Sequence, residues 1–144
     1  MLMPDVNVLV YAHRSELDHH GWYRGWLEDA MNGPTPLAFS TSSLMGFVRV
    51  VTNRRAFAVP TPLPIATGVV DALVGHPRSR VVGPGPRHWA LARDLCLATN
   101  ATGKLVADAA HAAIAIEAGC TWVSRDRDFA RFEQRGLRWQ HLSP

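Results

Sequence analysis

The chain has very little cysteine and no apolar run long enough to cross a membrane. Its 144 residues include only Cys96 and Cys120, which are too few for a disulfide framework and match no zinc-site spacing. We interpret both as buried thiols in a reducing compartment. The most apolar tract, residues 105–123, is interrupted by charged and histidine side chains, so we expect no membrane span and no membrane partner.

A secretory signal is also missing, because no basic region is followed by a sufficiently long apolar stretch at the N-terminus. We therefore expect a cytoplasmic protein and leave its release from the cell open. With 47% hydrophobic and 19% charged residues, the chain has the composition of a folded protein. Its length predicts one domain, residues 1–144.

Lysine is nearly absent, since fourteen of the fifteen basic residues are arginine, and the formal net charge is +3. If four of the twelve acidic residues share one site, fifteen basic residues face the remaining eight acidic ones, a balance of +7. An acidic pocket in a basic field suits a polyanion that must reach a metal ion. Genome composition explains the arginine bias equally well.

Short β-like runs alternate with helical patterns along the chain. We predict strands at residues 1–5, 37–39, 80–82, 121–123 and 137–140. Apolar periodicity predicts helices at residues 7–13, 18–31, 44–52, 65–74, 87–97, in the segment from residue 104 to Gly119, and at 129–132. This alternation predicts an α/β fold with a central, largely parallel sheet of four to five short strands flanked by helices.

Four aspartates fall at comparable places in this scheme. Asp5 ends the first strand, Asp126 and Asp128 follow the fourth, and Asp108 lies near the start of the preceding helix. Ligand sites in open α/β sheets lie outside the carboxyl ends of the strands. Taken alone, each aspartate has a purely structural explanation, as a helix cap or as a first-turn acid. Together they would repel one another without a cation, and oxygen-only sites suit Mg²⁺ or Mn²⁺.

Four stretches carry a family resemblance when taken in order: MLMPDVNVLVYA, LMGFVRVVTNRRAF, KLVADAAHAAIAIEAG and TWVSRDRDFARF. In these the chain resembles PIN-domain ribonucleases, and more narrowly the VapC-type toxins of bacterial toxin–antitoxin pairs, especially the mycobacterial branch. The resemblance implies that the four aspartates are catalytic and hold one or two Mg²⁺ or Mn²⁺ ions. It implies that Asn7 and Ser124 support them by hydrogen bonds.

One position departs from the family pattern. Many members place a glutamate on the helix after strand two, where this chain has Gly46. Glycine supplies no ligand and weakens a helix interior by about 1 kcal/mol relative to alanine. Whether one ion or two bind is therefore open, and replacing Gly46 with glutamate is expected to tighten metal binding.

The resemblance implies a metal-dependent endoribonuclease that cuts structured RNA, such as a tRNA or a ribosomal RNA loop, and so inhibits translation. The expected products carry a 5′-phosphate and a 3′-hydroxyl. The expected partners are a cognate VapB-type antitoxin, the RNA substrate and a second copy in a homodimer. The residues leave two alternatives open: a metal-dependent DNA nuclease or phosphatase, and a non-catalytic module that binds nucleic acid.

Two further sets of residues are candidates for binding. Five arginines near the strand ends could contact phosphates, with a solvated surface as the alternative: Arg49, Arg54, Arg55, Arg125 and Arg127. Five apolar residues could line a groove for the antitoxin, with core packing as the alternative: Trp22, Trp26, Leu44, Phe47 and Val48. His111, one turn after Asp108, is expected either to flank the pocket or to pack in the core.

Overall fold

A five-stranded parallel sheet runs through the computed structural model, which describes residues 1–144. The strands are β1 (Leu2–Pro4), β2 (Leu37–Ser40), β3 (Ser79–Val82), β4 (Thr121–Ser124) and β5 (Arg138–His141). Their order across the sheet is β3-β2-β1-β4-β5, and every neighbouring pair is parallel. The predicted α/β class and parallel sheet are confirmed, with β5 at one edge.

Six α-helices and one 3-10 helix connect the strands. They are α1 (Val6–His13), α2 (His20–Asn32), α3 (Thr41–Val51), α4 (Leu63–Gly75), α5 (His88–Thr99), α6 (Lys104–Ala118) and the 3-10 helix Arg127–Arg135. Helix α3 begins earlier than predicted because Ser40 is its N-cap, with Oγ accepting from Ser43 N at 2.9 Å. None of the helices has the length and apolar character needed to span a bilayer.

The order of strands reverses direction between β1 and β4. The chain runs from β1 to β2 on one side, whereas β4 leads to β5 on the other, and such a switch point opens a crevice at the carboxyl ends of the two strands. Pro4 pairs with Val123, and Asp5 N donates to Val123 O at 2.9 Å. This register brings Asp5 beside Ser124 at the crevice.

Two large apolar clusters form most of the core. One contains Trp122 and Phe129 together with four buried alanines of α6, whose small side chains let that helix pack closely against its neighbours. The other contains Phe39 and Phe47 with residues of α1 and α4. Both thiols are free, but only Cys120 is buried, so the prediction of two buried cysteines is wrong for Cys96, which is half-buried.

Core packing was one of the two expectations for Trp22 on α2, and the structure differs from it. Tyr23 is fully buried, whereas Trp22 is 41% exposed. The Tyr23 hydroxyl donates to Leu142 O at 3.2 Å and accepts from Arg125 Nε at 2.8 Å, so its polar atom is satisfied in the interior. Trp26, Leu27 and Ala30 are half-buried against the core clusters, so the inward face of α2 runs through these residues and Tyr23.

Gly46 lies where α3 meets α1. A Cβ atom at this position would lie 2.7 Å from Cγ2 of Val6, and a β-branched side chain on a helix has little rotamer freedom with which to move away. Gly46 therefore permits the close approach of the two helices. A glutamate placed there would first have to displace Val6 before its carboxylate could reach a metal ion.

We expect Gly46→Ala to destabilise the fold, although alanine is the better helix former. Overpacking against Val6 costs about 1–3 kcal/mol, which outweighs the helix-propensity gain of about 1 kcal/mol. In urea unfolding, the double variant Val6→Ala/Gly46→Ala should lose less stability than the two single variants added together. Gly68→Ala is the control, because Gly68 lies inside α4 with no neighbour within 4 Å, and it should stabilise. Strict additivity of the cycle would contradict this contact.

Candidate metal centre

Asp5 follows β1 directly and is only 7% exposed. Its Oδ1 accepts from Val6 N at 2.6 Å, which caps α1, and its Oδ2 accepts from Ser124 Oγ at 2.6 Å. Burial raises the pKa of Asp5 to about 6, because desolvation disfavours the charged carboxylate. The charges of Asp108 and Asp126 add to this rise, and the two hydrogen bonds oppose it. Asp5 is thus both a helix cap and a carboxylate whose charge is incompletely balanced.

Ser124 links the segments that meet at the crevice. Its fully buried hydroxyl donates to Asp5 and accepts from Asn7 Nδ2 at 3.1 Å and from Asp126 N at 3.0 Å. The Asn7 side chain in turn accepts from Arg125 N at 3.3 Å. Ser124 and Asn7 therefore tie the end of β1 to the loop that follows β4.

Asp108 stands one turn into α6 and is also 7% exposed. The Lys104 ammonium donates to Asp108 Oδ2 at 3.0 Å and to Asp126 Oδ2 at 2.5 Å. Burial alone would lower the pKa of Lys104, but the two carboxylates outweigh it and raise that pKa above its ordinary value. Lys104 was not among the residues predicted for the site, although its position four residues before Asp108 is the spacing of a helical ion pair.

Asp126 and Asp128 lie in the turn that opens the 3-10 helix. Asp126 Oδ1 accepts from Asp128 N at 2.9 Å. Burial raises the pKa of Asp126, but the hydrogen bonds from Lys104 and from Asp128 N hold it below its ordinary value. One carboxylate oxygen from each of Asp108, Asp126 and Asp128 lies within 4.8 Å of the others. Asp126 therefore caps the 3-10 helix and also belongs to the cluster of carboxylates.

A cleft of about 380 Å³ opens beside these side chains, and we call it the carboxylate cleft. Asp5, Asp108 and Asp126 line it, whereas Asp128 joins the cluster without lining the cleft. His111 also lines it and stacks on Trp122 with ring centroids 5.4 Å apart. His111 therefore flanks the cleft and also packs against the core, as the two expectations for it stated. Burial lowers its pKa, and its buried Nδ1 has no hydrogen-bond partner.

The donor set fits a hard divalent cation. Carboxylate oxygens are the ligands that Mg²⁺ and Mn²⁺ prefer, and no histidine or cysteine belongs to the cluster of three carboxylates. The Lys104 ammonium already lies between two of these carboxylates, so positive charge is accommodated at this place. The residues present are therefore consistent with a magnesium or manganese site.

The five candidate arginines lie in different surroundings. Arg49 lines the carboxylate cleft. Arg54 and Arg55, in the turn after α3, and Arg127, at the start of the 3-10 helix, are exposed. Of the five, only Arg49 lines the carboxylate cleft, and its side chain makes no hydrogen bond or ion pair within the protein.

Arg125 is held by two tyrosines. Its guanidinium carbon lies 3.5 Å from the ring centroid of Tyr11, and its Nε donates to the Tyr23 hydroxyl at 2.8 Å. This stacking fixes the loop after β4 against α1 and α2. Arg125 thus has a structural role that its sequence position did not reveal.

The five apolar residues predicted to line an antitoxin groove do not lie together at one groove of the structure. An apolar groove of about 420 Å³ lies between α1, α2, α3 and α4, and we call it the helical groove. Its apolar walls include Leu27, Met31, Phe47, Val69 and Leu73. Of the five residues predicted to line such a groove, only Phe47 does so. Leu44 is buried in the core, and the others do not line this groove.

Comparison with known proteins identifies the family. Residues 2–134 match the PIN domain. The chain is 51% identical over 141 residues to ribonuclease VapC43 of Mycobacterium tuberculosis, with 98% of this chain and 95% of that protein covered. It is 41% identical over 132 residues to ribonuclease VapC25 of the same organism, with 92% and 93% covered.

Solved structures share the fold at low sequence identity. VapBC2 from Rickettsia felis, bound to a DNA fragment from its promoter, matches with a TM-score of 0.69 and 18% identity, covering 96% of both chains. VapC20 of M. tuberculosis, described as a toxin that cleaves the sarcin–ricin loop, matches with a TM-score of 0.69 and 14% identity, covering 100% of both. The chain belongs to the PIN-domain family, and within it to the VapC ribonucleases, as the sequence resemblance predicted.

Proposed function

We propose that this protein is a metal-dependent endoribonuclease that acts as the toxin of a toxin–antitoxin module. The observation that carries the proposal is the carboxylate cleft, where three acids from distant segments surround one cavity at the switch point of the sheet. Relatives that are 51% identical are named ribonucleases. We assign catalysis to Asp5, Asp108, Asp126 and Asp128.

Asp5, Asp108 and Asp126 would hold a Mg²⁺ or Mn²⁺ ion, with Asp128 adjoining the last two. A bound divalent ion lowers the pKa of an attacking water and stabilises the charge that develops on the phosphate. The chain itself orients the carboxylates: Ser124 fixes Asp5 Oδ2, and the backbone of the 3-10 helix fixes Asp126 Oδ1. Because these hydrogen bonds already hold the carboxylates in place, the side chains need little reorganisation during the reaction.

The path of the RNA is suggested by a second cleft that adjoins the first. This side cleft, about 400 Å³ in volume, shares four lining residues with the carboxylate cleft: Val6, Arg49, Ala107 and His111. A phosphodiester held at the carboxylates would place its neighbouring nucleoside in the side cleft, with Arg49 at the junction as a phosphate ligand. Bases reach such clefts most readily from unpaired RNA, which favours a tRNA or ribosomal RNA loop as substrate.

Asp108→Asn should abolish both metal binding and RNA cleavage. For the wild-type chain, free of antitoxin, Mn²⁺ at a hundredfold excess over its Kd should stabilise the fold by about 2.7 kcal/mol. The variant should lose this rise in Tm and cut total RNA at least about 100-fold more slowly, because it lacks charge stabilisation in the transition state. Thermal melts and RNA gels with Mg²⁺ or Mn²⁺ measure the two effects.

Asp94→Asn is the matched control, since Asp94 is an exposed aspartate on α5 that pairs only with Arg93. It should bind metal and cut RNA as the wild type does. A non-catalytic binding module would show no metal-induced rise in Tm and no effect of Asp108→Asn. A DNA nuclease or a phosphatase would instead act on DNA or on a small phosphomonoester while leaving RNA intact.

Arg49→Gln should weaken RNA binding while leaving Mn²⁺ binding nearly unchanged. Loss of one phosphate contact reduces the slope of log affinity against log salt concentration by about 1. Filter binding or fluorescence anisotropy measures this slope, with Asp108→Asn present in both proteins so that the RNA is not cleaved. Arg54→Gln is the control, because Arg54 is exposed outside both clefts. Equal salt slopes for the two variants would contradict the assigned RNA path.

We place the antitoxin contact in the helical groove. Its apolar walls and the exposed Arg24–Glu28 pair at its edge match the apolar core and polar rim of a protein interface. An amphipathic segment of a VapB-type antitoxin would lay its apolar face there, as helix-in-groove partners do. A homodimer is proposed from the resemblance alone.

Met31→Glu should weaken capture of the antitoxin and leave RNA cleavage intact. A carboxylate in the groove wall would be desolvated on binding without a partner, which costs several kcal/mol. Co-expression with the product of the neighbouring reading frame, followed by affinity capture, measures the effect. Leu97→Glu is the control, because Leu97 is an apolar residue that is 71% exposed on α5, outside the groove. Equal capture of the antitoxin by both variants would show that it binds outside the helical groove.

A further inference from the structure

The carboxylates offer two neighbouring places for positive charge. Asp5, Asp108 and Asp126 face the carboxylate cleft, whereas Asp108, Asp126 and Asp128 bring one oxygen each within 4.8 Å of one another. The Lys104 ammonium donates to Asp108 Oδ2 and Asp126 Oδ2, two carboxylates that belong to both sets. A cation that belongs to the chain therefore already pairs with the two shared carboxylates, at the carboxylate cleft that Lys104 also lines.

Lys104 is the single lysine among fifteen basic residues. An ammonium group is a compact point charge with three rotatable donors, unlike the planar fork of arginine. Two of its donors are used by the carboxylates, and no acceptor of the protein engages the third. The side chain is 67% exposed, so this third donor can reach a solvent-side ligand such as a phosphate oxygen.

Asp108 keeps one oxygen available on its other side. Its Oδ2 receives the ammonium, whereas its Oδ1 accepts no hydrogen bond. Asp5 lines the same cleft but is not among the carboxylates that the ammonium pairs with. The remaining demand for positive charge is therefore on the Asp5 side of the cluster, away from the ammonium.

We propose that Lys104 takes the place of a second divalent cation, so that the protein binds one divalent ion. The Lys104 ammonium then supplies the positive charge that a second ion would bring to the carboxylates and to the phosphate of the substrate. Lys104 is then a positioning residue for Asp108 and Asp126 and a phosphate ligand. This inference rests on the proposed metal-dependent function.

The test counts bound ions. Titration with Mn²⁺, followed by calorimetry and by electron paramagnetic resonance of the free ion, should give one ion per chain for the wild type and for Lys104→Arg. Lys104→Met vacates the second place and should give two, the first bound at least about tenfold more tightly because a like charge is removed. Arg93→Met is the control, since it removes an exposed charge on α5 that pairs with Asp94, and it should bind one ion.

A second readout follows the ammonium itself. Because the chain has one lysine, labelling with ¹⁵N-lysine gives a single side-chain ammonium signal in the NMR spectrum. That signal should persist with little change when Mg²⁺ saturates the protein, and it should move in Asp126→Asn, which removes one partner. Movement on adding Mg²⁺ to the position of free lysine would show displacement and would overturn the proposal.

The outcomes separate the two claims. Two ions on the wild-type chain, or one ion on both wild type and Lys104→Met, would overturn the role of Lys104 while leaving the metal-dependent function standing. No ion on any variant would overturn the proposed function as well. Far-ultraviolet circular dichroism should show that Lys104→Met folds like the wild type, and Lys104→Gln repeats the count with a polar side chain.

Discussion

Three carboxylates converge in one cleft, and their mutual repulsion has to be offset by neighbouring positive charge and hydrogen bonds. Asp5 and Asp108 are each only 7% exposed, and Asp126 shares the cleft with them. Burial disfavours the charged form of Asp5, and the charges of Asp108 and Asp126 disfavour it further. The compensation is uneven: Lys104 holds the pKa of Asp126 low, whereas that of Asp5 is raised to about 6. The deficit in positive charge is therefore greatest at Asp5, where an added cation would stabilise the cluster most.

The pairing of β1 with β4 creates this cluster. Pro4 pairs with Val123, so the next residues, Asp5 and Ser124, lie side by side, and the serine hydroxyl can donate to the carboxylate. A shift of this register by one residue would turn every side chain of the three-residue strand β1 to the opposite face. The fully buried Ser124, which bonds to three partners, opposes such a shift because moving it would leave several polar groups unsatisfied.

The sequence predicted the strands, the helices and the placement of the acids near strand ends, since these follow from local periodicity and from the geometry of parallel sheets. It could not predict contacts that depend on how elements pack. The burial of Tyr23 in place of Trp22 depends on Leu142 and Arg125, which lie more than a hundred residues away. Gly46 illustrates the same limit: the sequence suggests a missing ligand, whereas the structure gives it a steric role against Val6.

The arginine-rich composition divides into two physical roles once the contacts are known. The guanidinium of Arg14 lies 4.2 Å from the ring centroid of Phe57, and that of Arg125 lies 3.5 Å from that of Tyr11, so both planar groups pack on aromatic rings within the protein. These two guanidinium groups present their faces to aromatic rings within the protein, so fewer arginines are available to contact a phosphate than a count of charges implies. Attraction of RNA to the cleft then depends on where the remaining charges lie, with Arg49 as the one arginine on the cleft wall. The same total charge, placed elsewhere on the surface, would increase non-specific binding without directing a phosphate to the carboxylates.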